Sequence, residues 1–399
     1  MEEWNCSGIR LTAGPRTGAS AHVEKFTAAQ AEAAMAFHRS FPEYRVTPLA
    51  DLRGLAGALG LGGLYVKDES KRFGLNAFKV LGGSHCLGQY IGARLGTGLL
   101  PYDALTSEET REKLGELTFV TATDGNHGRG IAWTANRLGQ RSVVYMPAGS
   151  AAERLRNIQM FATEASVTDL NYNDTVRLAA RRAGENGWVL VQDTTWPGYE
   201  EIPTWIMQGY TTMALEAVRQ LEDVRPTHVF LQAGVGAMAG AVAAFFASLY
   251  GAERPRIIVV EPDKADCFYR SAKAGEIRTV GGAMDTIMAG LACGEPCTIA
   301  WDILAAYADW FISMPDWVAA RGMRVLGAPV DGDPRVISGE SGASTAGLVS
   351  ALCSRPELSD LREQLELDES ARVLCFSTEG DTDRANYRRV VWQGAYSEP

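Results

Sequence analysis

A chain of 399 residues can bury a full core, and its length predicts two or three domains. Hydrophobic residues at 46% and charged residues at 22% are the balance of an ordinary globular protein. A formal net charge of −10, with no basic run and no basic patch interleaved with aromatics, excludes nucleic acid and anionic membrane surfaces as partners.

The N-terminus, "MEEWNCSGIRLTAGPRTG", opens acidic and has no apolar h-region, so no secretory signal and a cytoplasmic location are expected. The first 45 residues read as a peripheral arm with one helical stretch, "AAQAEAAMAFHRSF". From about residue 60 strands and helices alternate: strand "GLYVKDES", helix "AFKVLGGSHCLGQYIGARL", strand "LTFVTAT", then helix "NHGRGIAWTANRLG" closed by Gly139. Strand "RSVVYMP", helix "AERLRNIQMFATEA", strand "ASVTDL", helix "NDTVRLAARRAGENG" and strand "WVLVQD" continue the rhythm. After a Pro-bearing loop come helix 204–221, strand "THVFLQAG", helix 236–249 and strand "RIIVVEP". The last of these helices holds the longest apolar stretch, "GAMAGAVAAFFASLYGAE", which is Ala- and Gly-rich and reads as a buried helix, not a membrane span.

Residues 263–300 break the rhythm and predict an ordered functional excursion, because long structureless loops are uncommon in compact domains. "DWFISMPDWVAARGMRVLG" and "GESGASTAGLVSALCS" read as resumed helices, and "ARVLCFSTEGDTD" carries a last buried strand. Alternating strands and helices predict an α/β protein with largely parallel twisted sheets and right-handed crossovers. The seven cysteines are scattered and odd in number, unlike a secreted disulfide framework. Cys293 and Cys297 form a lone CxxxC without a second pair or a nearby His, so no zinc site is expected, while a local thiol pair involving Cys267 or Cys293 stays open.

One lysine sits in unusual company. Lys79 lies in "NAFKVLGG", among apolar residues and just before two glycines. It reads either as a side chain snorkelling to water or as a desolvated amine pushed toward its nucleophilic form. Three strand-end turns decide between them. In "LQAGVGAMAGAVAAFF" a strand runs through Gly234 and Gly236 into a helix, a turn that aims backbone N–H groups at one point and suits a phosphate. It lacks the Walker lysine and the spacing of the dinucleotide fingerprint. "TATDGNHGRG" crowds Asp124, Asn126 and His127 at a helix start, more polar equipment than capping needs, and "VQDTTWPGYE" places Asp193 at a strand end. An amine, a phosphate cradle and a polar strand-end loop together suggest pyridoxal phosphate, whose aldehyde a lysine binds and whose ring stores electrons once a Cα–H is removed.

The motifs "KDESKRFGLNAFKVLGGS", "TDGNHGRG", "QDTTWPGYEEIPTWIMQGY", "QAGVGAMAG", "VEPDKADC", "MAGLACGEP", "ISGESGA" and "STEGDTD" resemble those of the diaminopropionate ammonia-lyases. These belong to the fold-type II, tryptophan-synthase-β-like group of pyridoxal-phosphate enzymes. The resemblance covers the chain from about residue 43 onward. It implies a two-domain α/β fold, with a small domain at 80–192, a large one formed by 1–79 and 193–399, and an active site in the cleft between them. It implies a homodimer, an amino-acid substrate, and elimination of ammonia from 2,3-diaminopropionate through aminoacrylate to pyruvate and two ammonia.

Residue by residue, the resemblance implies that Lys79 holds the cofactor and serves as base, with Phe78 beside the ring and Asn126 on its O3′ oxygen. Ala233, Gly234, Val235, Gly236, Ala237 and Met238 would bind the phosphate, and Ser377 or Thr378 would face the pyridine nitrogen. Thr123, Asp124, Gly125 and Asp193 would meet the substrate. Serine/threonine deaminases of the group tend to carry a small polar residue in place of Asp124, so the carboxylates at 124 and 193 suit a substrate with a second ammonium. Asp124 on the face opposite Lys79 would take the proton from the D-enantiomer, while Lys79 serves the L-enantiomer. An L-serine/threonine dehydratase, a β-replacement synthase and a non-catalytic cofactor carrier are the alternatives.

Overall fold

The computed structural model describes residues 3–123 and 125–399; the expected roles of Asp124 lie outside the described residues. In chain order the strands are β1 (Glu3–Cys6), β2 (Ile9–Ala13), β3 (Leu49–Asp51), β4 (Gly63–Asp68), β5 (Thr118–Ala122) and β6 (Arg141–Met146). They continue with β7 (Glu164–Val167), β8 (Val189–Leu190), β9 (His228–Gln232), β10 (Arg256–Pro262), β11 (Trp310–Met314) and β12 (Arg372–Ser377). Two compact units share them. The larger comprises Met1–Ala28, Thr47–Lys71 and Met213–Pro399, and the smaller comprises Ala29–Val46 and Arg72–Thr212.

The larger unit is built on an eight-stranded sheet in the order β1-β2-β11-β10-β9-β12-β4-β3. Its centre, β11 through β4, is parallel, and the antiparallel pairs β1–β2, β2–β11 and β3–β4 finish its two edges. Every residue of β9 is buried, as expected of a central parallel strand covered on both faces. Leu64, Val66, Phe230, Ile258, Val260, Ile312 and Val373 meet the helix residues Val318, Met323, Leu348 and Val349 in one apolar core.

Two expectations are corrected here. The N-terminal residues are not a peripheral arm: β1 and β2 form a hairpin that adds to the sheet beside β11. Its two-residue loop is Ser7-Gly8, both with positive φ (52° and 78°), the backbone twist that suits a tight hairpin. And "DWFISMP" is not the start of a helix but strand β11, four of its five residues buried; the following helix, Asp316–Gly327, begins only after Pro315.

The smaller unit holds a four-stranded, fully parallel sheet in the order β7-β6-β5-β8. Helix Tyr172–Asn186 starts from an Asn171 side chain that accepts the Asp174 N–H at 2.9 Å, two residues before the expected Asn173, and ends on Gly187 in the left-handed region. Helix Ala28–Arg39 packs almost wholly in this unit. Phe37 and Phe41 meet each other at 5.3 Å between ring centroids, Phe41 meets Phe73 and Trp133, and His38 bonds the Leu81 carbonyl at 3.0 Å and the Thr212 hydroxyl at 2.7 Å. That aromatic burial is why residues 29–46 belong with 72–212, and why the division falls at 71/72 and 212/213 instead of 79/80 and 192/193.

Candidate active site

Helix Val80–Leu95 begins immediately after Lys79, and every residue from Val80 to Gly88 is buried. Gly82 in this helix and Gly130 in a helix packed on it have a steric task. A Cβ on Gly82 would come within 2.6 Å of the Tyr210 ring, and one on Gly130 within 2.9 Å of the Val80 Cα. Helices Asn126–Arg137 and Glu201–Leu221 thus touch the first turn after Lys79 at backbone distance, which fixes where its side chain starts. Phe78 lies against the Tyr210 ring at 4.8 Å, and the Lys79 ammonium sits 5.8 Å from the Phe78 ring centroid.

The Lys79 amine is not snorkelling freely. It is paired with the Asp193 carboxylate, and their side chains are 20% and 5% exposed. Asp193 follows the short strand β8, where the chain leaves the sheet as the Tyr199 hydroxyl accepts the Gln192 N–H at 2.8 Å and donates to the Leu190 carbonyl at 2.9 Å. Burial pushes the Asp193 carboxyl up, but the Lys79 ammonium and then the His127 ring outweigh it and hold it well below the usual carboxylate range. His127 is fixed by a 2.9 Å bond from Nε2 to the Val191 carbonyl, with Nδ1 3.8 Å from Asp193 Oδ2. Sequence reading noticed His127 in its loop but gave it no role, and it overlooked Tyr210.

The turn after β5 is held by Thr123, whose hydroxyl accepts the N–H groups of Gly125 at 3.0 Å and Gly128 at 3.1 Å. Thr123 therefore shapes the loop as an acceptor. Asn126 opens the following helix and packs near Leu75, Ala77, Val80 and Arg129.

In the larger unit β9 runs into the turn Ala233–Met238 and helix Ala237–Tyr250, which has no side-chain cap at its N-terminus. Gly236 has φ 86°, and a Cβ there would strike the Phe268 ring at 2.2 Å; one on Gly234 would meet the Gly290 carbonyl at 2.9 Å. The Ala233 N–H, expected to meet a phosphate, is instead bonded to the Val260 carbonyl at 2.9 Å, as the last ladder bond of β9; beyond it the turn is free of side chains and suits an anion. The excursion 263–300 is ordered, as expected, and packs on this turn through Phe268, Gly290 and Cys293. Beneath it Glu261 is fully buried and accepts the N–H groups of Phe268 and Tyr269 at 2.9 and 2.7 Å, starting helix Cys267–Ala274. Burial pushes its carboxyl up to about 8. All seven cysteines are free thiols, and the Cys267 thiol is 3.5 Å from Glu261 Oε1.

At the end of β12 the Ser377 hydroxyl donates to Ser338 at 2.7 Å, while Thr378 Oγ1 accepts from Gln232 Nε2 at 2.9 Å. Gln232 ends β9, so the glycine turn and the "STEG" turn are tied to each other. Each unit carries groups of a kind that pyridoxal phosphate uses: the smaller an amine at a helix start, the larger a side-chain-free turn at a helix start and hydroxyls at a strand end. Among the described residues no cluster suits a metal ion, and no helix is long and apolar enough to cross a membrane.

The family described as "Pyridoxal-phosphate dependent enzyme" matches residues 40–379. Diaminopropionate ammonia-lyase of Escherichia coli strain K12 is 53% identical over 375 residues, 93% of this chain and 94% of that protein. The chain belongs to the diaminopropionate ammonia-lyase family. The family member from Salmonella typhimurium strain LT2 is 52% identical over 368 residues, 90% of this chain and 91% of that one. The crystal structure of the holo diaminopropionate ammonia-lyase from Escherichia coli superposes with a TM-score of 0.92 at 48% identity, covering 98% of each chain. The fold is therefore that of the fold-type II pyridoxal-phosphate enzymes.

Proposed function

We propose that this chain eliminates ammonia from 2,3-diaminopropionate, giving pyruvate and two ammonia, with pyridoxal phosphate as its cofactor. Family membership supports the activity, and the Lys79–Asp193 pair is the observation that carries it. A dehydratase needs an amine for its cofactor, but it has no need of a buried carboxylate held anionic beside that amine. A substrate with a second ammonium does, because the carboxylate supplies a charge-assisted hydrogen bond to it.

When bound, the cofactor supplies an aldehyde for the lysine and a ring that accepts the electrons released from Cα. Lys79 carries the aldehyde and moves the α proton. Phe78 would flank the ring, Asn126 would bond its O3′ oxygen, and Ser377 or Thr378 would face its nitrogen. The turn from Gly234 through Val235, Gly236 and Ala237 to Met238 would hold the phosphate, with Ala233 shaping its start through its bond to Val260. Thr123 and Gly125 orient the substrate at the strand end. Asp193 holds the β-ammonium and directs its departure, since a leaving amine must leave protonated. The released enamine takes up water and yields pyruvate and the second ammonia. A homodimer in the cytoplasm completes the reading, and sedimentation at micromolar concentration tests the dimer.

The decisive assay compares pyruvate, 2-oxobutyrate and ammonia formed from D- and L-2,3-diaminopropionate, serine and threonine. A higher kcat/KM for diaminopropionate is expected; preference for serine or threonine overturns the assignment. Asp124→Asn is expected to cost about 10²–10⁴ in rate with the D-enantiomer and less with the L-enantiomer, the span of a lost acid–base group. Equal loss on both would reject its role as a second base.

A further inference from the structure

Strand β8 is only two residues long, and its end is finished in an unusual way. It pairs with β5 at Phe119–Val189 and Val120–Leu190, and the Val191 N–H bonds the Val120 carbonyl at 2.9 Å. Parallel ladders space their bonds evenly, so the next two would run from the Ala122 N–H to the Val191 carbonyl and from the Asp193 N–H to the Ala122 carbonyl. Here the Gln192 side chain meets both groups of Ala122. Its Oε1 accepts the Ala122 N–H at 3.2 Å, and its Nε2 donates to the Ala122 carbonyl at 3.0 Å. The Val191 carbonyl turns instead to His127 Nε2, at 2.9 Å. Gln192 Oε1 also accepts from the Thr121 hydroxyl at 3.0 Å, and Nε2 also donates to the Tyr172 hydroxyl at 3.1 Å. A glutamine amide has two acceptor sites and two donors, and this fully buried one uses all four.

While the side chain completes the ladder, the main chain leaves it. The Gln192 N–H bonds the Tyr199 hydroxyl at 2.8 Å, and the Tyr199 ring stacks on Trp196 at 4.2 Å with the planes 10° apart. The next residue is Asp193, whose carboxylate pairs with Lys79. In a continued strand the pleat would dictate the direction of the side chain at 193. The exchange of side chain for backbone at 192 releases that constraint one residue before the acid. A fully satisfied buried network of this kind is rigid, and an apolar residue of the same size would leave both peptide groups of Ala122 short of a partner.

We propose that Gln192 is a positioning residue for Asp193: its side-chain amide stands in for the strand on β5, which frees the main chain to turn and hold the Asp193 carboxylate on Lys79. The proposal rests on the role given above to Asp193. It also accounts for a buried amide at a place where a strand would otherwise carry an apolar side chain.

Gln192→Met keeps the volume and removes the amide. In the holoenzyme, kcat with diaminopropionate should fall about 10²-fold, the cost of misplacing a group by about 1 Å. In the Asp193→Asn background most of that loss should disappear, whereas a packing role would cost the same in both. Gln192→Glu keeps the shape and the acceptor, and it donates to the Ala122 carbonyl only while protonated. Its kcat relative to the wild type should therefore be higher near about pH 6 than near about pH 9. A crystal structure of the cofactor-free full chain separates this proposal from the reading it rests on. In Gln192→Met, or in Gln192→Glu at about pH 9 if the first does not fold, the Asp193 carboxylate should lie beyond about 4 Å from the Lys79 amine, the limit of an ion pair. An unchanged Lys79–Asp193 pair, an undiminished kcat, an equal loss in the Asp193→Asn background or a flat pH ratio for Gln192→Glu overturns the proposal, whatever substrate the enzyme prefers.

Discussion

Lys67 and Lys79 are both lysines placed beside carboxylates in the interior, and only one is suited to chemistry. Lys67, on β4, has no exposed side chain. Its ammonium is 2.7 Å from Glu216 and donates to the Thr47 carbonyl and to Gln220 Oε1, both at 2.7 Å. Glu69 accepts from the Thr47 hydroxyl at 2.6 Å and completes the lock. That ammonium has three donors and three acceptors, and it can leave none of them cheaply. Lys79 instead keeps a fifth of its side chain exposed, lies by the Phe78 ring and pairs with Asp193. Burial beside an acid does not mark a reactive amine. What marks it is an opening on one side.

The largest effect should come from Lys79→Ala, with activity falling by at least about 10⁴ because both the cofactor bond and the α-proton base are lost. Borohydride reduction of the wild type should label Lys79. A label on Lys67 would break the comparison.

Lys67→Met should do the reverse. Leaving Glu216 buried without its ammonium should cost about 3–5 kcal/mol in denaturant unfolding. Turnover per folded molecule should stay unchanged, and a loss of turnover with normal stability would give Lys67 a part in the reaction.

Asp193→Asn should lower kcat with diaminopropionate by about 10²–10³. It also has a signature in stability. The folded carboxyl ionises below its unfolded value, so its contribution is full above the unfolded value of about 4 and is lost as pH falls toward the folded one. Acid unfolding of the cofactor-free variant should therefore be less steep below about pH 4 than that of the wild type.

The smallest change is expected at Glu261, whose shift runs the other way. Its folded pKa, about 8, lies above the unfolded value, so the native state holds the extra proton in between and loses stability as pH rises toward 8. Glu261→Gln should flatten that slope, by up to about 1.4 kcal/mol per pH unit, in unfolding measured at pH 5 and pH 8. An unchanged slope would mean that the carboxylate is fully compensated by the Phe268 and Tyr269 amides.

Much of this was legible in the residues. Alternation of helix and strand periods marked the parallel parts of both sheets, and the glycines at 234 and 236 marked a turn bare of side chains, because close approach and a positive φ leave only glycine. Strand β11 escaped because "WFISM" carries a fully buried run, which has no alternation to tell it from a helix. The N-terminal hairpin escaped although Ser7-Gly8 between "WNC" and "IRL" is a usable turn signal. His127 and Tyr210 lacked any local signal of role. His127 comes near Asp193 and Tyr210 meets Phe78, each distant in the chain and brought together only by the fold.

The position of β12 has a consequence for how the molecule is made. It lies between β9 and β4 in the larger sheet, yet it comes after both of them, and after every other strand of that sheet, in chain order among the described residues. All residues of the smaller unit have left the ribosome by Thr212, so that unit can close while translation continues. The β3–β4 hairpin is older still, but its neighbour arrives only with Arg372–Ser377. Until then β4 and β9 present unpaired edges, the state most exposed to aggregation or to chaperone capture. A nascent chain stopped before Arg372 would therefore carry a finished smaller unit and a larger sheet split in two.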